Sequence, residues 1–204
     1  MMKDKTKPKF PLVPKLLNDF PVTYYFVLLC IVLFAIDKVI FLDIAKMFAI
    51  NKDAFFSGQY YRVFTHIFVH QDFGHISGNL LYIVMLLPFI EYKLKFGQTI
   101  SMIFFSAVLS GILLMLFSPN VYTLGASGII FTLMGMYVVF IKYMAHKLLA
   151  IIPLGYILLQ LGGNIFDNIF YGANISIVGH FTGLLIGLLM GLIYIPIVEK
   201  NRKN

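Results

Sequence analysis

Long apolar runs separated by short charged or turn-forming segments make up most of the chain. The runs cover residues 22–36, 74–90, 99–117, 125–141, 148–163 and 177–198. A bilayer core is crossed by roughly 17–25 helical residues, and shorter runs tilt, extend into their flanks or begin below the surface. The pattern therefore predicts an all-α polytopic membrane protein with six transmembrane helices.

The same pattern divides the chain into one membrane domain with two short ends. Residues 21–198 form the six-helix domain, residues 1–20 a short basic segment before it, and residues 199–204 a basic tail. Residues 37–73 are the one long connection, and their mixture of aromatic, aliphatic and charged side chains is typical of short helices at a membrane interface. We therefore expect a structured outer loop and no separate soluble domain.

Charge is scarce, and it is distributed unevenly. The chain has 204 residues, of which 60% are hydrophobic and 12% charged, whereas a soluble domain carries about twice that charge. When connections are assigned alternately to the two sides, 12 of the 16 Lys and Arg residues lie on the side that holds both termini. Because cytosolic loops carry such an excess, we expect both termini in the cytosol of a multi-pass cell-membrane protein. The net charge of +7 then requires no nucleic-acid partner.

Metal and cofactor chemistry have little support in the sequence. The single cysteine, Cys30, lies in an apolar run, so a disulfide framework or a cysteine-based zinc site is not available. His66, His70 and His75 are close in sequence, but no HExxH motif accompanies them and only Asp72 adds a carboxylate. We predict no metal and no cofactor, with zinc as the less favoured alternative. His66 and His70 are expected to organise the cavity entrance through hydrogen bonds to loops or water.

Four polar side chains lie at hydrocarbon depth, where polar groups are costly and tend to be functional. They are His75, Asn79, Ser127 and His180. Counted at about 1.5 Å per residue from the cytosolic end of their spans, His75, Ser127 and His180 lie at about 24, 22 and 27 Å. Three helices thus bring polar groups to one level below the outer surface. Water reaches that level only through a cavity, so a shared site is the prediction.

These residue types fit one chemistry. Serine is a weak nucleophile that needs an adjacent base, which a neutral histidine supplies near pH 7. His75 and Asn79 are four residues apart on one helix face and can both donate hydrogen bonds to one atom. With the backbone N–H of Ser127 at a helix start, they can stabilise a developing oxyanion. Glycines beside the serine leave room for a substrate backbone.

Small residues predict how the serine and the histidine meet. Glycine recurs at every fourth position of the sixth run, at Gly179, Gly183, Gly187 and Gly191. The fourth run carries the small residues Gly128, Thr132 and Gly135. Stripes of this kind let two membrane helices approach closely. We therefore expect these two helices to touch and to bring His180 to Ser127.

Over nearly its whole length, the chain resembles the rhomboid intramembrane serine proteases. GASG around Ser127 is similar to their nucleophile motif, and GHFTGLLIG from Gly179 is similar to their histidine-and-glycine motif. YRVFTHIFVHQDFGHISGN, from Tyr61 to Asn79, is similar to their loop-and-second-span signature. The resemblance implies an endopeptidase that cuts transmembrane helices of other proteins near their extracytoplasmic ends.

The resemblance also implies individual roles. Ser127 would be the nucleophile, His180 the general base, and His75 with Asn79 the oxyanion stabilisers. Supporting residues would be Gly125, Gly128, Phe131, Gly179, Gly183, Arg62, Glu91, His66 and His70, with Arg62 and Glu91 structural and Phe131 packed on the histidine. Tyr61 stands where the family usually has Trp, and the fifth span with its following loop would form the gate for substrates.

Two other classes of function stay open at this point. The first is an inactive rhomboid-like protein that binds membrane clients, which the presence of both Ser127 and His180 disfavours. The second is a small polytopic transporter, although the polar groups lie towards the outer face and no inverted repeat is visible. The Lys-rich sequence favours a bacterial plasma membrane, and it predicts no particular oligomeric state.

Overall fold

The computed structural model describes residues 16–40, 42–143, 155, 159, 162–163 and 176–203. Within these residues the chain is mainly helical. The helices are α1 (Leu16–Asp19), α2 (Pro21–Ile40), α3 (Ile44–Phe48), α4 (Lys52–Phe56), α5 (Arg62–Thr65), α6 (Phe73–Leu94), α7 (Phe96–Phe117), α8 (Ser127–Phe140) and α9 (Ile177–Lys203). Two short 3₁₀ helices, His66–Phe68 and Ile141–Tyr143, follow α5 and α8.

Four of the predicted spans are helices long and apolar enough to cross a membrane, namely α2, α6, α7 and α9. The fourth predicted span is α8, an apolar helix of 14 residues. Most of the fifth predicted span, residues 148–163, lies outside the described residues, as do the basic residues before Leu16 and most of the loop after Tyr143. The chain is thus a multi-pass membrane protein that is mostly helical in its described residues, and the count of six spans stays a prediction.

The apolar runs 74–90 and 99–117 leave residues 91–98 between them as a predicted loop, and that prediction is wrong. α6 continues to Leu94 and α7 begins at Phe96, so Lys95 alone joins them. Lys95 has a φ of 71°, and its N–H donates to the Glu91 carbonyl. The apolar run ends at the first charged residue, but backbone hydrogen bonding does not depend on side-chain polarity, so the helix continues through the charged positions.

α8 is enclosed by other helices, which explains why it can be short. It packs against α9, α7 and α6, and ten of its 14 residues are buried. A helix that is apolar on every side is typical of such a position. At about 1.5 Å per residue its length is about 21 Å, less than a bilayer core of about 30 Å. α8 alone is therefore shorter than the bilayer core, and its first residue, Ser127, is half-buried.

α8 and α9 are in backbone contact, as the small-residue stripes predicted. A Cβ atom added to Gly183 would lie 2.5 Å from the Gly128 carbonyl oxygen, and one added to Gly135 would lie 2.5 Å from the Leu184 carbonyl oxygen. A Cβ atom on Gly187 would overlap the carbonyl of Thr132. Because none of these contacts leaves space for a side chain, the glycines set the distance between the two helices.

The three helix ends from which the depths were counted meet at one end of the bundle. Lys93 Nζ of α6 donates to the Tyr143 carbonyl over 3.3 Å, and the Tyr143 hydroxyl donates to Glu199 Oε1 of α9 over 2.7 Å. Asn201 Nδ2 donates to the Lys93 carbonyl over 2.9 Å. The depths of His75, Ser127 and His180 can therefore be compared by counting from these ends of α6, α8 and α9.

The long connection between α2 and α6 contains the short helices α3, α4 and α5, and Arg62 holds it together. Arg62 Nη1 donates to the carbonyls of Lys46 and Ala49 over 2.7 and 2.6 Å, and Nε donates to Gln59 Oε1 over 2.8 Å. These carbonyls lie at the C-terminal end of α3, where helical acceptors lack partners. Tyr61 packs beside the guanidinium, with 5.7 Å between Arg62 Cζ and the Tyr61 ring centroid.

Glu91 fixes the start of the first long helix. Its Oε1 accepts from Val22 N over 2.8 Å, and its Oε2 accepts from Thr23 N and Thr23 Oγ1 over 3.0 and 2.9 Å. The carboxylate thus satisfies N–H groups that have no partner within α2 and lies at the positive end of the helix dipole. Glu91 is buried, so the bonds are shielded from water.

We predict that Glu91→Gln lowers the free energy of unfolding by about 1–3 kcal/mol, because a buried charge-assisted acceptor is lost. The measurement is chemical unfolding of the purified protein in detergent. Glu199→Gln is the control, because Glu199 is exposed and accepts one hydrogen bond from the described residues, that of the Tyr143 hydroxyl. Equal unfolding curves for the two variants would contradict this account of α2.

Candidate active site

A cavity of about 1020 Å³ lies where the outer loop meets the first turns of α6, α8 and α9. Its walls include all four polar residues that the sequence placed at one depth, which are His75, Asn79, Ser127 and His180. His75 and Ser127 are half-buried, whereas Asn79 and His180 are each 8% exposed. Three helices thus bring these side chains to one open cavity.

The first turns of α6 direct two hydrogen-bond donors at the chain just before Ser127. Asp72 Oδ1 accepts from His75 N over 2.8 Å and so caps the helix. A Cβ atom added to Gly125 would lie 2.6 Å from His75 Nε2 and 3.2 Å from Asn79 Nδ2. Asn79 Nδ2 is buried and has no hydrogen-bond partner among the described residues. The two side chains therefore converge on one region of the cavity wall.

Ser127 is the first residue of α8, and His180 lies in the first turn of α9. The first hydrogen bond within α8 runs from Ile130 N to Ala126 O, so the N–H of Ser127 has no acceptor inside the helix. The ring of Phe131, one turn after Ser127, stacks on His180 with centroids 4.4 Å apart and 17° between the planes. The nucleophile and base candidates therefore lie on neighbouring turns of two helices in close contact.

The backbone that leads into Ser127 is held by the outer loop. Gly125 N donates to the His66 carbonyl over 2.9 Å, and Ala126 N donates to His70 Nε2 over 3.4 Å. Further back, Ile50 and Thr123 exchange two backbone hydrogen bonds of 2.9 Å. His66 and His70 are 3% and 1% exposed, and His66 lines the cavity, so their role in organising the cavity entrance stays a prediction.

The predicted supporting glycines have different structural reasons. Gly125 has a φ of +113°, which an L side chain rarely adopts, in addition to its contact with His75 and Asn79. A Cβ atom on Gly179 would lie 2.9 Å from Ser176 Oγ, and one on Gly183 would meet α8. At Gly128 a Cβ atom would lie 3.5 Å from the nearest atom, an ordinary contact, so room for a substrate stays a prediction there.

Several polar contacts near the cavity were not predicted from the sequence. Ser176 Oγ accepts from Gly179 N over 3.1 Å and caps α9, much as Asp72 caps α6. Both stand just before an apolar run, which is a recognisable capping signal. Ser106 of α7 and Thr132 of α8 are joined by a 2.7 Å hydrogen bond, which has no local signal because the residues lie on different helices.

His66 and His70 lie outside the long helices and are held neutral. Burial lowers the pKa of His66 to about 4, although the carbonyls of Arg62 and Val63 oppose the shift. Burial, reinforced by the neighbouring His75, lowers the pKa of His70 to about 3. In the described part of the chain, no three His, Cys, Asp or Glu side chains are grouped as metal ligands.

We predict that the protein loses stability as the pH falls from about 6.5 towards 4. In the unfolded chain each histidine takes up a proton below about 6.5, whereas His66 and His70 stay neutral in the folded protein, so acid favours unfolding. At pH 5 the loss is about 2 kcal/mol for each histidine. The measurement is the unfolding midpoint in detergent from pH 8 to pH 5.

The variant His70→Gln tests the assignment. Glutamine keeps an acceptor for the Ala126 N–H but does not titrate, so we expect a weaker pH dependence below pH 6.5 than in the parent protein. Above pH 7 both proteins should show flat profiles. Parallel profiles throughout would show that His70 does not contribute.

The fold and the cavity define a multi-pass helical membrane protein with a polar site inside its bundle. Residues 57–197 match the Rhomboid domain, and the chain belongs to the rhomboid family. Similar proteins include Rhomboid protease GlpG of Salmonella paratyphi A and of Salmonella typhi, each 29% identical over 187 residues. The protein of the same name from Salmonella newport is 28% identical. These matches cover 85% of this chain and 63% of each relative, so the chain spans less than two thirds of their length.

Proposed function

We propose that the chain is an intramembrane serine endopeptidase of the rhomboid type. It would cleave transmembrane segments of other membrane proteins near their extracytoplasmic ends. The observation that carries this proposal is the convergence of Ser127, His180, His75 and Asn79 on one cavity inside the bundle. Family membership and the name of the relatives, rhomboid protease, support the same activity.

Ser127 and His180 act as nucleophile and general base. His180 takes the proton from Ser127 Oγ as the oxygen attacks a peptide carbonyl, and it returns that proton to the leaving amine. The stacked ring of Phe131 holds the imidazole in place. No third, acidic residue is needed, because packing orients the histidine in this dyad.

The oxyanion that forms on the attacked carbonyl is stabilised by three donors. These are the backbone N–H of Ser127, the Nδ2 of Asn79 and the Nε2 of His75. Nε2 donates in the tautomer that carries its proton there. The lack of a partner for Asn79 Nδ2 among the described residues supports this role, because a donor already in place stabilises charge without reorganisation.

The reaction continues through an acyl-enzyme. Ser127 Oγ becomes esterified to the carbonyl carbon while the peptide C–N bond breaks and the new amine leaves. Water that enters the cavity attacks the ester with His180 again as base, which releases the acid and restores the serine. A substrate helix has its carbonyls in hydrogen bonds and must unwind locally, which favours Gly, Pro or other small residues near the cut.

The proposed orientation places both termini in the cytosol and opens the cavity to the extracytoplasmic side. It is supported by the excess of basic residues on the side of the termini and by the outer loop beside the cavity. The lipid bilayer and transmembrane helices of other proteins are the partners that this arrangement implies. The reaction uses no cofactor.

We predict that Ser127→Ala and His180→Ala each lower the cleavage rate by at least about 10³-fold, because either change removes the dyad. The assay uses the purified protein in liposomes with a model transmembrane substrate. Ser101→Ala is the control, because Ser101 is exposed on α7 and bonds to the Gly97 carbonyl of its own helix. We expect it to cleave like the parent protein.

A fluorophosphonate probe provides the second measurement. It should label the parent protein at Ser127 and leave the alanine variant unlabelled. Cleavage by Ser127→Ala at the parent rate, or labelling of another serine, would contradict the proposal. A folded parent protein that binds the substrate without cleaving it would favour the inactive client-binding alternative.

We predict that Asn79→Ala lowers kcat by about 10²–10³-fold with little change in KM, because the lost donor acts mainly on the transition state. Asn201→Ala is the control, because Asn201 donates its hydrogen bond at the far end of the bundle. Equal kcat values for the two variants would remove Asn79 from the oxyanion site.

A further inference from the structure

A buried hydroxyl cluster joins three helices beneath the proposed dyad. Thr132 Oγ1 of α8 lies 2.7 Å from Ser106 Oγ of α7, 3.1 Å from the Gly128 carbonyl oxygen and 3.2 Å from the Gly183 carbonyl oxygen of α9. The side chains of Ser106 and Thr132 are both fully buried. Among the described residues, the Thr132 hydroxyl is thus within hydrogen-bond distance of groups on α7, α8 and α9.

The donors and acceptors of this cluster can be assigned by counting. The two carbonyls are acceptors only, so the single proton of Thr132 is directed at them. Ser106 then donates to Thr132, which makes use of both hydroxyl protons. Removal of the Thr132 hydroxyl would leave the buried Ser106 hydroxyl without its acceptor. It would also remove the hydrogen bond from Thr132 of α8 to the Gly183 carbonyl of α9.

The cluster lies directly under the proposed reacting groups. Gly128 follows Ser127, and Gly183 follows His180 by three residues, or about 4.5 Å of helical rise. Gly183 also contacts the Gly128 carbonyl directly. The residue that accepts the hydrogen bond from Thr132 is thus the same residue at which the backbones of α8 and α9 meet. A change in the bond from Thr132 to Gly183 would therefore alter the relative position of the two turns that carry Ser127 and His180.

We propose that Thr132 is a positioning residue, which acts with Ser106 to set Ser127 and His180 in register for proton transfer. The proposal rests on the proposed protease function. It does not require contact between Thr132 and substrate, because the hydroxyl acts through the backbone of α8 and α9. Glycine contacts fix how close these helices come, and the Thr132 hydroxyl fixes how they are aligned along their axes.

The test compares Thr132→Val, which has a similar shape and no hydroxyl, with Thr132→Ser, which keeps the hydroxyl. In liposomes with a model transmembrane substrate, we expect Thr132→Val to lower kcat about tenfold, because small displacements of reacting groups are costly. KM should stay within about twofold, because no substrate contact is lost. Thr132→Ser should have the same kcat as the parent protein, because it keeps the hydroxyl.

Two further variants separate positioning from general stability. Ser106→Ala should lower kcat as well, and the double variant with Thr132→Val should be no slower than Thr132→Val alone, because both remove one interaction. Thr99→Val is the control: Thr99 is also fully buried, but its hydroxyl bonds to the Lys95 carbonyl of its own helix. It should keep the parent kcat. If Thr132→Val fails to fold, the comparison of Ser106→Ala with Thr99→Val carries the test.

The outcomes distinguish this proposal from the protease function. A kcat for Thr132→Val within about twofold of an active parent would overturn the positioning role alone. A kcat for Thr132→Ser as low as that of Thr132→Val would also overturn the positioning role. So would a double variant whose loss of kcat equals the product of the losses in Ser106→Ala and Thr132→Val. A parent protein that neither cleaves the substrate nor reacts with a fluorophosphonate at Ser127 would refute the protease function, and the positioning role with it.

Discussion

Backbone contact between α8 and α9 is the constraint on which the site depends. Between helices in lipid the hydrophobic driving force is largely absent, so van der Waals packing and hydrogen bonds must hold them together. At Gly135 and Gly183 even one methyl group would enter the neighbouring backbone. Because Ser127 begins one of these helices and His180 lies in the first turn of the other, the close approach set by the glycines also limits how far apart the proposed reacting groups can lie.

The close contact alone does not place a serine at membrane depth, because the chain before α8 is irregular and its polar groups need partners there. The outer loop supplies them through the His66 carbonyl, the His70 ring and the backbone pairing of Ile50 with Thr123. Arg62 in turn holds the loop to the end of α3. The connection between α2 and α6 therefore supports the irregular segment that leads into α8.

The parts of this arrangement that were predictable from sequence are those with a local pattern. Apolar runs gave most of the long helices, and the fourfold glycine spacing predicted the contact between α8 and α9. The join at Lys95 was missed because hydropathy ends before the helix does. The hydrogen bonds from Ser106 to Thr132 and from Ala126 N to His70 could not be predicted, since they depend on how distant segments meet.

In the proposed mechanism, Asn79 is a buried donor that has no partner among the described residues before an oxyanion forms. A buried polar group without a partner costs about 1–3 kcal/mol, and nearly all other buried polar side chains described here are bonded. Its Nδ2 lies beside Gly125, on the wall of a cavity that also holds Ser127. If the donor were paired with a neighbouring carbonyl, that bond would have to break before the amide could stabilise an oxyanion. The bonds that hold α6, α8 and α9 in place therefore offset the cost of leaving this amide available.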